Sequence, residues 1–267
     1  MSLLLAFLLL WQPSAFAAEL KPETVRQFDA YMAQASSQMQ ARAEGRGSFL
    51  WSASSQERWK TLKSDGVLVS PTNESPSQDV RYGLIHDWTG AVFIPGAKAQ
   101  HALLVLEDVN NHPRIYAPET LAARKLSGGA NEFRSSLRTL KKKVVTAVLD
   151  YEFQTVYREL APGRWQGVVR STKIVEVENF GEKDERQKPE GTGFGFLWRL
   201  NSWWHVEERD GGVVMELRSI SLTRDIPLGL SWAIKPMVTS MPKETLESTL
   251  GKTRAAVRAL SRQGAAR

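Results

Sequence analysis

The chain has 267 residues, 42% hydrophobic and 24% charged, a globular balance that leaves room for a substantial core. It contains no cysteine, which excludes disulfides, a lipidated cysteine, thiolate catalysis and sulfur-ligated metals. Its net charge of +6 is mildly basic and spread along the chain.

Residues 3–11, LLLAFLLLW, form an uncharged apolar run followed by Gln12-Pro13-Ser14 and the small-residue pattern Ala15-Phe16-Ala17. This is the layout of a secretory signal peptide, with cleavage near Ala17 or Ala18, although no Lys or Arg precedes the run. The alternative is a membrane anchor, but the run is short of the roughly 20 residues a spanning helix needs. The expectation is export to the periplasm or the cell exterior with residues 1–18 removed, which also argues against nucleic acid as a partner.

Lys21 to Glu44 carries Val25, Phe28, Met32, Ala35 and Met39 at helical spacing, with Pro22 suited to a first turn and Gly45 to a stop. A shorter helix is predicted over Ser54 to Lys63, where Ser54 and Glu57 have capping-box spacing. The turn-rich stretch Ser70 to Ser77 reads as a linker, so residues 19–79 are expected as a helical extension and residues 80–262 as the main domain.

Tyr82 to Ile94 alternates and stops at Pro95-Gly96, predicting a strand. Ala97 to Val109 is predicted helical, with Leu103, Leu104, Leu106 and Val109 on its apolar side and Asn110-Asn111-His112-Pro113 ending it. The densest basic region runs through Arg124, Lys125, Arg134, Arg138 and Lys141-Lys142-Lys143. It reads as a solvated loop leading into a strand, with transient contact to an anionic membrane surface as the alternative. Strands are predicted over Lys143 to Glu159, Arg164 to Asn179, Gly195 to Arg209 and Val213 to Arg224, the last two joined by a tight turn at Asp210-Gly211-Gly212. Pro242 to Leu260 closes the chain as an amphipathic helix of about five turns, with Leu246, Leu250, Val257 and Leu260 on one face.

Alternation assigns faces. Phe194, Phe196, Trp198, Leu200, Ser202, Trp204 and Val206 are predicted inward, and Arg199, Asn201, Trp203 and His205 outward. Met215, Leu217, Ser219 and Ser221 share one face, with Glu216 and Arg218 on the other. Ala147, Leu149, Tyr151, Phe153, Thr155 and Tyr157 form another inward row, and Trp165, Val169, Ser171 and Val175 a third. Hydroxyls within these apolar rows need partners, which water or a ligand head in a cavity would supply, since an unpaired buried hydroxyl costs about 1–3 kcal/mol. The candidate ligand-binding residues are Trp198, Leu200, Ser202, Trp204, Met215, Leu217, Tyr151 and Phe153. The competing reading is solid core.

Other chemistry finds little support. Gly191-Thr192-Gly193-Phe194-Gly195 imitates a phosphate loop but leads into an aromatic strand, not a helix N-terminus. His86, His101, His112 and His205 have no metal-ligand spacing, and no Gly-x-Ser-x-Gly elbow is present. No metal, cofactor or catalytic residue is assigned.

The order strand, helix, long antiparallel strands, hairpin, the turn Ser221-Leu222-Thr223-Arg224-Asp225-Ile226-Pro227 and a long closing helix resembles the START-like helix-grip superfamily (SRPBCC) over residues 80 to 262. That superfamily includes polyketide cyclase/dehydrase-like and lipid-transport proteins. The resemblance implies an α+β fold in which a curved antiparallel β-sheet wraps a long C-terminal α-helix around a tunnel holding a lipid, sterol or polyketide-like molecule. The polar connection Gly181 to Pro189 departs from a minimal hairpin and reads as a loop or a lid. Three functions follow: a carrier of a hydrophobic small molecule, a cyclase or dehydratase-type enzyme using the same tunnel, or an interaction module whose N-terminal amphipathic helix docks a partner.

Overall fold

The computed structural model describes residues 18–64, 66–142, 146–226 and 231–265, without the side chains of 231–239 and 264–265. The apolar run 3–11, the cleavage position Ala17, Lys143 and Pro227 lie outside the described residues.

The chain runs β1 (Ala18–Glu19), α1 (Pro22–Ala43), α2 (Gln56–Lys63), β2 (Val67–Pro71), β3 (Gln78–Val80), β4 (Gly83–Pro95), α3 (Ala99–Glu107) and α4 (His112–Ile115). It continues through β5 (Thr120–Gly128), β6 (Glu132–Lys142), β7 (Thr146–Ala161), β8 (Arg164–Glu178), β9 (Arg186–Gln187), β10 (Thr192–Gly193), β11 (Arg199–Arg209), β12 (Gly212–Arg224) and α5 (Ser231–Ala265). Ten strands form one antiparallel sheet in the order β2-β4-β12-β11-β8-β7-β6-β5, with β3 beside β4 and β9 beside β8, while β1 and β10 make a separate ribbon. This is an α+β helix grip with an N-terminal helical extension.

The β11–β12 turn is as predicted: Asp210 at φ 50° and Gly211 at φ 74° supply the two positive values a tight hairpin needs. On the inner face of the sheet, Leu246, Leu250 and Val257 of α5 pack with α3 against Trp88, Val92, Ile94, Trp204, Val206, Met215 and Leu217. Gly90 permits this approach, because a Cβ there would sit 2.6 Å from Leu250 Cδ1.

The opposite face is also covered. Phe28, Met32, Ala35 and Met39 of α1 pack on Ile85, Trp198, Trp203, Ile220 and Leu222, while Phe49, Leu50 and Leu62 cover Ala91, Phe93 and Val214. Glu216 and Arg218 do point away from the cavity, as alternation predicts, but both are buried under this layer. Arg218 grips Asp87 through Nε (3.0 Å) and Nη2 (2.6 Å), and the Tyr31 hydroxyl donates to the same carboxylate at 2.7 Å. Glu216 pairs with Arg42 and accepts the Ser52 amide at 3.1 Å. Each buried charge therefore has a partner, as burial demands.

Several sequence expectations need correction. The basic stretch through Arg124 and Arg138 is the β5–β6 hairpin, not a loop. Its inward positions Phe133, Ser135, Leu137, Thr139 and Lys141 are half polar, so apolar alternation gives no signal there. The turn-rich stretch after Pro71 connects β2 to β3, and both pair with β4, so residues 67–71 and 78–80 belong to the sheet. The cap of α2 is Ser55, whose hydroxyl accepts the Arg58 amide at 3.4 Å, and not Ser54.

In β8 the register slips between Lys173, opposite Glu152, and Ser171, opposite Phe153. Past that bulge the faces exchange: Ile174 joins the inner cluster and Val175, predicted inward, turns out. A similar break precedes β11. Gly193 (φ 120°) and Gly195 (φ 70°) turn the chain, so alternation holds only from Leu200 onward. Phe194 is consequently exposed, and Trp198 packs on the outer face with α1.

Candidate functional site

Between the inner sheet face and α5 lies a cavity of two adjoining lobes, about 260 and 290 Å³, that share Lys141, Tyr151, Val169, Leu200, Trp204, Thr245 and Thr249. Lobe one extends toward α3 and β6 and is walled by Leu106, Val109, Phe133, Leu137, Phe153 and Tyr157. Lobe two extends over β4 and β12, with Trp88, Leu149, Leu197 and Leu217 as its apolar wall and Met241, Pro242 and Leu246 of α5 as its cover.

The structure gathers most of the sequence-predicted ligand residues here. Tyr151, Leu200 and Trp204 line both lobes, Phe153 lines the first, and Ser202 and Leu217 line the second. Met215 faces inward but is fully buried within the packed core, so it supports the wall without lining it. Trp198 is on the far side of the sheet, for the reason given above. Sequence reasoning missed Phe133, Leu137, Leu106 and Val109, which come with the unrecognised hairpin and the end of α3. It also missed Leu197, which the irregular backbone before β11 turns inward.

The polar groups of lobe one are mostly tyrosine and threonine. The Thr139 hydroxyl donates to Tyr151 Oη at 3.2 Å, and Tyr116 Oη lies 2.9 Å from Thr253 Oγ1. Burial pushes the Tyr151 phenol up to about 12 and raises Tyr157 and Tyr116 as well. Burial lowers the His112 imidazole, whose Nε2 has no hydrogen-bond partner among the described residues. These groups are held neutral near pH 7, with acid and base strengths moved away from that pH.

At the rim, α5 meets the residue just before β5. Lys252 pairs with the Glu119 carboxylate, and the Ser248 hydroxyl donates to it at 3.3 Å. Burial alone would raise the Glu119 carboxyl, but the Lys252 ammonium overrides that and holds it below the usual carboxylate range. The pair is about 30% exposed, so it is a wet clasp rather than a buried bridge.

Glu176 is buried and faces inward because of the β8 bulge. Its two oxygens accept the backbone amides of Phe194 (2.7 Å) and Phe196 (3.2 Å). It thereby pins the segment that carries Phe196 and Leu197 across the end of lobe two. Among the described residues no cluster of histidine and carboxylate groups could hold a metal ion.

No protein-family model and no curated protein sequence matches the chain. Solved structures similar to it include a STAR-related lipid transfer protein from Xanthomonas axonopodis, at TM-score 0.44 and 19% identity, covering 73% of this chain and 99% of that one. The Zhui aromatase/cyclase from Streptomyces sp. R1128 gives 0.43 and 12%, over 67% and 94% of the two chains. Human STARD10 gives 0.42 and 8%, over 76% and 79%. The strand order, the closing helix on the inner face and the cavity between them make this an α+β helix-grip fold.

Proposed function

We propose that the protein is an exported binder or carrier of a hydrophobic small molecule, lodged between the sheet and α5. The observation that carries this is the two-lobed cavity, whose wall is apolar over most of its extent. A guest hiding about 300 Å² of apolar surface at about 25 cal/mol per Å² would gain roughly 7 kcal/mol before association costs, enough for useful affinity without an elaborate polar site. Export rests on the apolar run and small-residue pattern at the N-terminus.

Two alternatives lose ground on specific observations. A proton-transfer enzyme works best with groups titrating near the operating pH. The inward tyrosines are shifted up and His112 down, away from it. An interaction module docking through its N-terminal helix needs a free apolar face, and that face of α1 is spent on the sheet.

The test is native mass spectrometry of the protein purified with its membranes and media extracts, together with binding of the neutral apolar fluorophore N-phenyl-1-naphthylamine. A co-purifying hydrophobic molecule and saturable uptake of the fluorophore support carriage. Saturable uptake that survives Leu200→Trp, a substitution into the shared wall, would place binding elsewhere and end this proposal.

A further inference from the structure

Lobe two carries a group of serine hydroxyls that no other described residue partners. Ser202 on β11 stands directly opposite Ser219 on β12, and Ser219 is in turn opposite Trp88 on β4. Ser221 follows two residues along the same face. All four residues line the lobe. The three serine hydroxyls make no hydrogen bond to another described residue and open onto the cavity, whereas Trp88 Nε1 behind them is sealed in without a partner. The bonds such serines commonly make to nearby backbone are also absent here. A guest that fills the lobe displaces water from these hydroxyls, and leaving each unpaired would then cost about 1–3 kcal/mol, so a well-matched guest brings its own hydrogen-bonding group to them.

Resting on the carrier reading, we infer that Ser202, Ser219 and Ser221 form the recognition site for the polar end of the guest, and that this end is an uncharged hydroxyl or carbonyl. Each serine offers one donor and two lone pairs. This set matches a neutral group that both gives and receives hydrogen bonds. Among the described residues the one charged side chain lining lobe two is Lys141, which already lies in the field of Glu119. A carboxylate or phosphate brought to the serines would lose its water to hydroxyls alone, which does not compensate a buried charge. The chemistry favours a long-chain alcohol, acylglycerol, sterol-like or polyketide-like molecule over a fatty acid or phospholipid headgroup held at this end.

The experiment is displacement of N-phenyl-1-naphthylamine from the delipidated full chain by oleyl alcohol and by oleate, two ligands with the same chain and different ends. Oleyl alcohol is expected to displace the fluorophore at about tenfold lower concentration, the scale of one to two neutral hydrogen bonds. In Ser202→Ala/Ser219→Ala that preference, read as the ratio of the two displacing concentrations so that any change in fluorophore affinity cancels, should shrink to about threefold or less, while Ser202→Thr retains it. Ser221→Ala provides an independent variant expected to shift in the same direction. Oleate displacing as well as or better than the alcohol would put recognition at the rim lysines and overturn the inference. So would a preference untouched by the serine variants. Failure of the fluorophore itself to bind is a different result, which removes the carrier reading and the inference with it.

Discussion

Trp203 and Trp204 are neighbours in the chain and face opposite sides of the sheet, Trp203 beneath α1 and Trp204 on the wall shared by the two lobes. The strand period alone produces this division. It gives one side chain to stability and the other to the cavity.

The two rings should therefore respond differently to truncation. Trp203→Ala opens a hole in the α1–sheet contact and is expected to cost about 3–5 kcal/mol in a denaturant titration. It should leave fluorophore affinity unaltered in the folded fraction. Trp204→Leu should cost less, since its ring already borders empty space, and should weaken fluorophore binding severalfold. Equal effects of both variants on binding would contradict the assignment of faces.

Stability should fall on mild acidification, through two buried histidines. Burial takes His86 down to about 4 and His205 down to about 3. Unfolded, both rings titrate near 6.5. Between these limits the unfolded chain binds more protons, so falling pH favours unfolding. Their stabilisation is complete above about pH 6.5 and is lost progressively as pH drops toward 4 and below, each ring contributing up to about 1.4 kcal/mol per pH unit. Denaturation midpoints at pH 7.5, 6.5, 5.5 and 4.5 should decline, and His205→Gln should flatten the decline while lowering its starting level.

The Glu119 and Lys252 clasp should govern how fast guests exchange. Because the pair is partly exposed, its breakage should cost little stability, in the range of surface pairs at about 0–1 kcal/mol. Glu119→Gln is expected to raise the association and dissociation rates of the fluorophore together, severalfold in stopped flow, with affinity changing less. High salt should reproduce the effect in the native chain and leave the variant indifferent.

Removing half of the Arg218 and Asp87 pair should be far more damaging. Arg218→Met leaves a buried carboxylate with only the Tyr31 hydroxyl and is expected to cost about 3–5 kcal/mol. The double variant Arg218→Met/Asp87→Leu should recover a good part of that loss in the same titration.

Legibility from sequence followed the strength of alternation. Ala147 to Tyr157 and Leu200 to Val206 alternate without interruption, and their faces were assigned correctly together with the turn at Asp210-Gly211. The errors sit where backbone irregularity resets the period, at the β8 bulge that turns Val175 out and at the glycine turns that turn Trp198 out. No spacing rule reveals such a reset, because it depends on the neighbouring strand. The β5–β6 hairpin went unseen for a different reason: strands that line a cavity carry polar residues on their inner face, as Ser135, Thr139 and Lys141 do, which erases the contrast that marks a strand. Alternation places Glu216 and Arg218 on the face away from the cavity but does not reveal their burial, because α1, which covers that face, comes from the far end of the sequence.

With α1 and its ion pairs clamped behind the sheet, the strands that floor the cavity are braced from the rear. A floor so backed has little freedom to bow outward for a bulky visitor. For the proposed carrier, opening then falls to the roof: a swing of the closing helix away from the segment before β5, or a lifting of the short strap that Glu176 tethers by two main-chain amides.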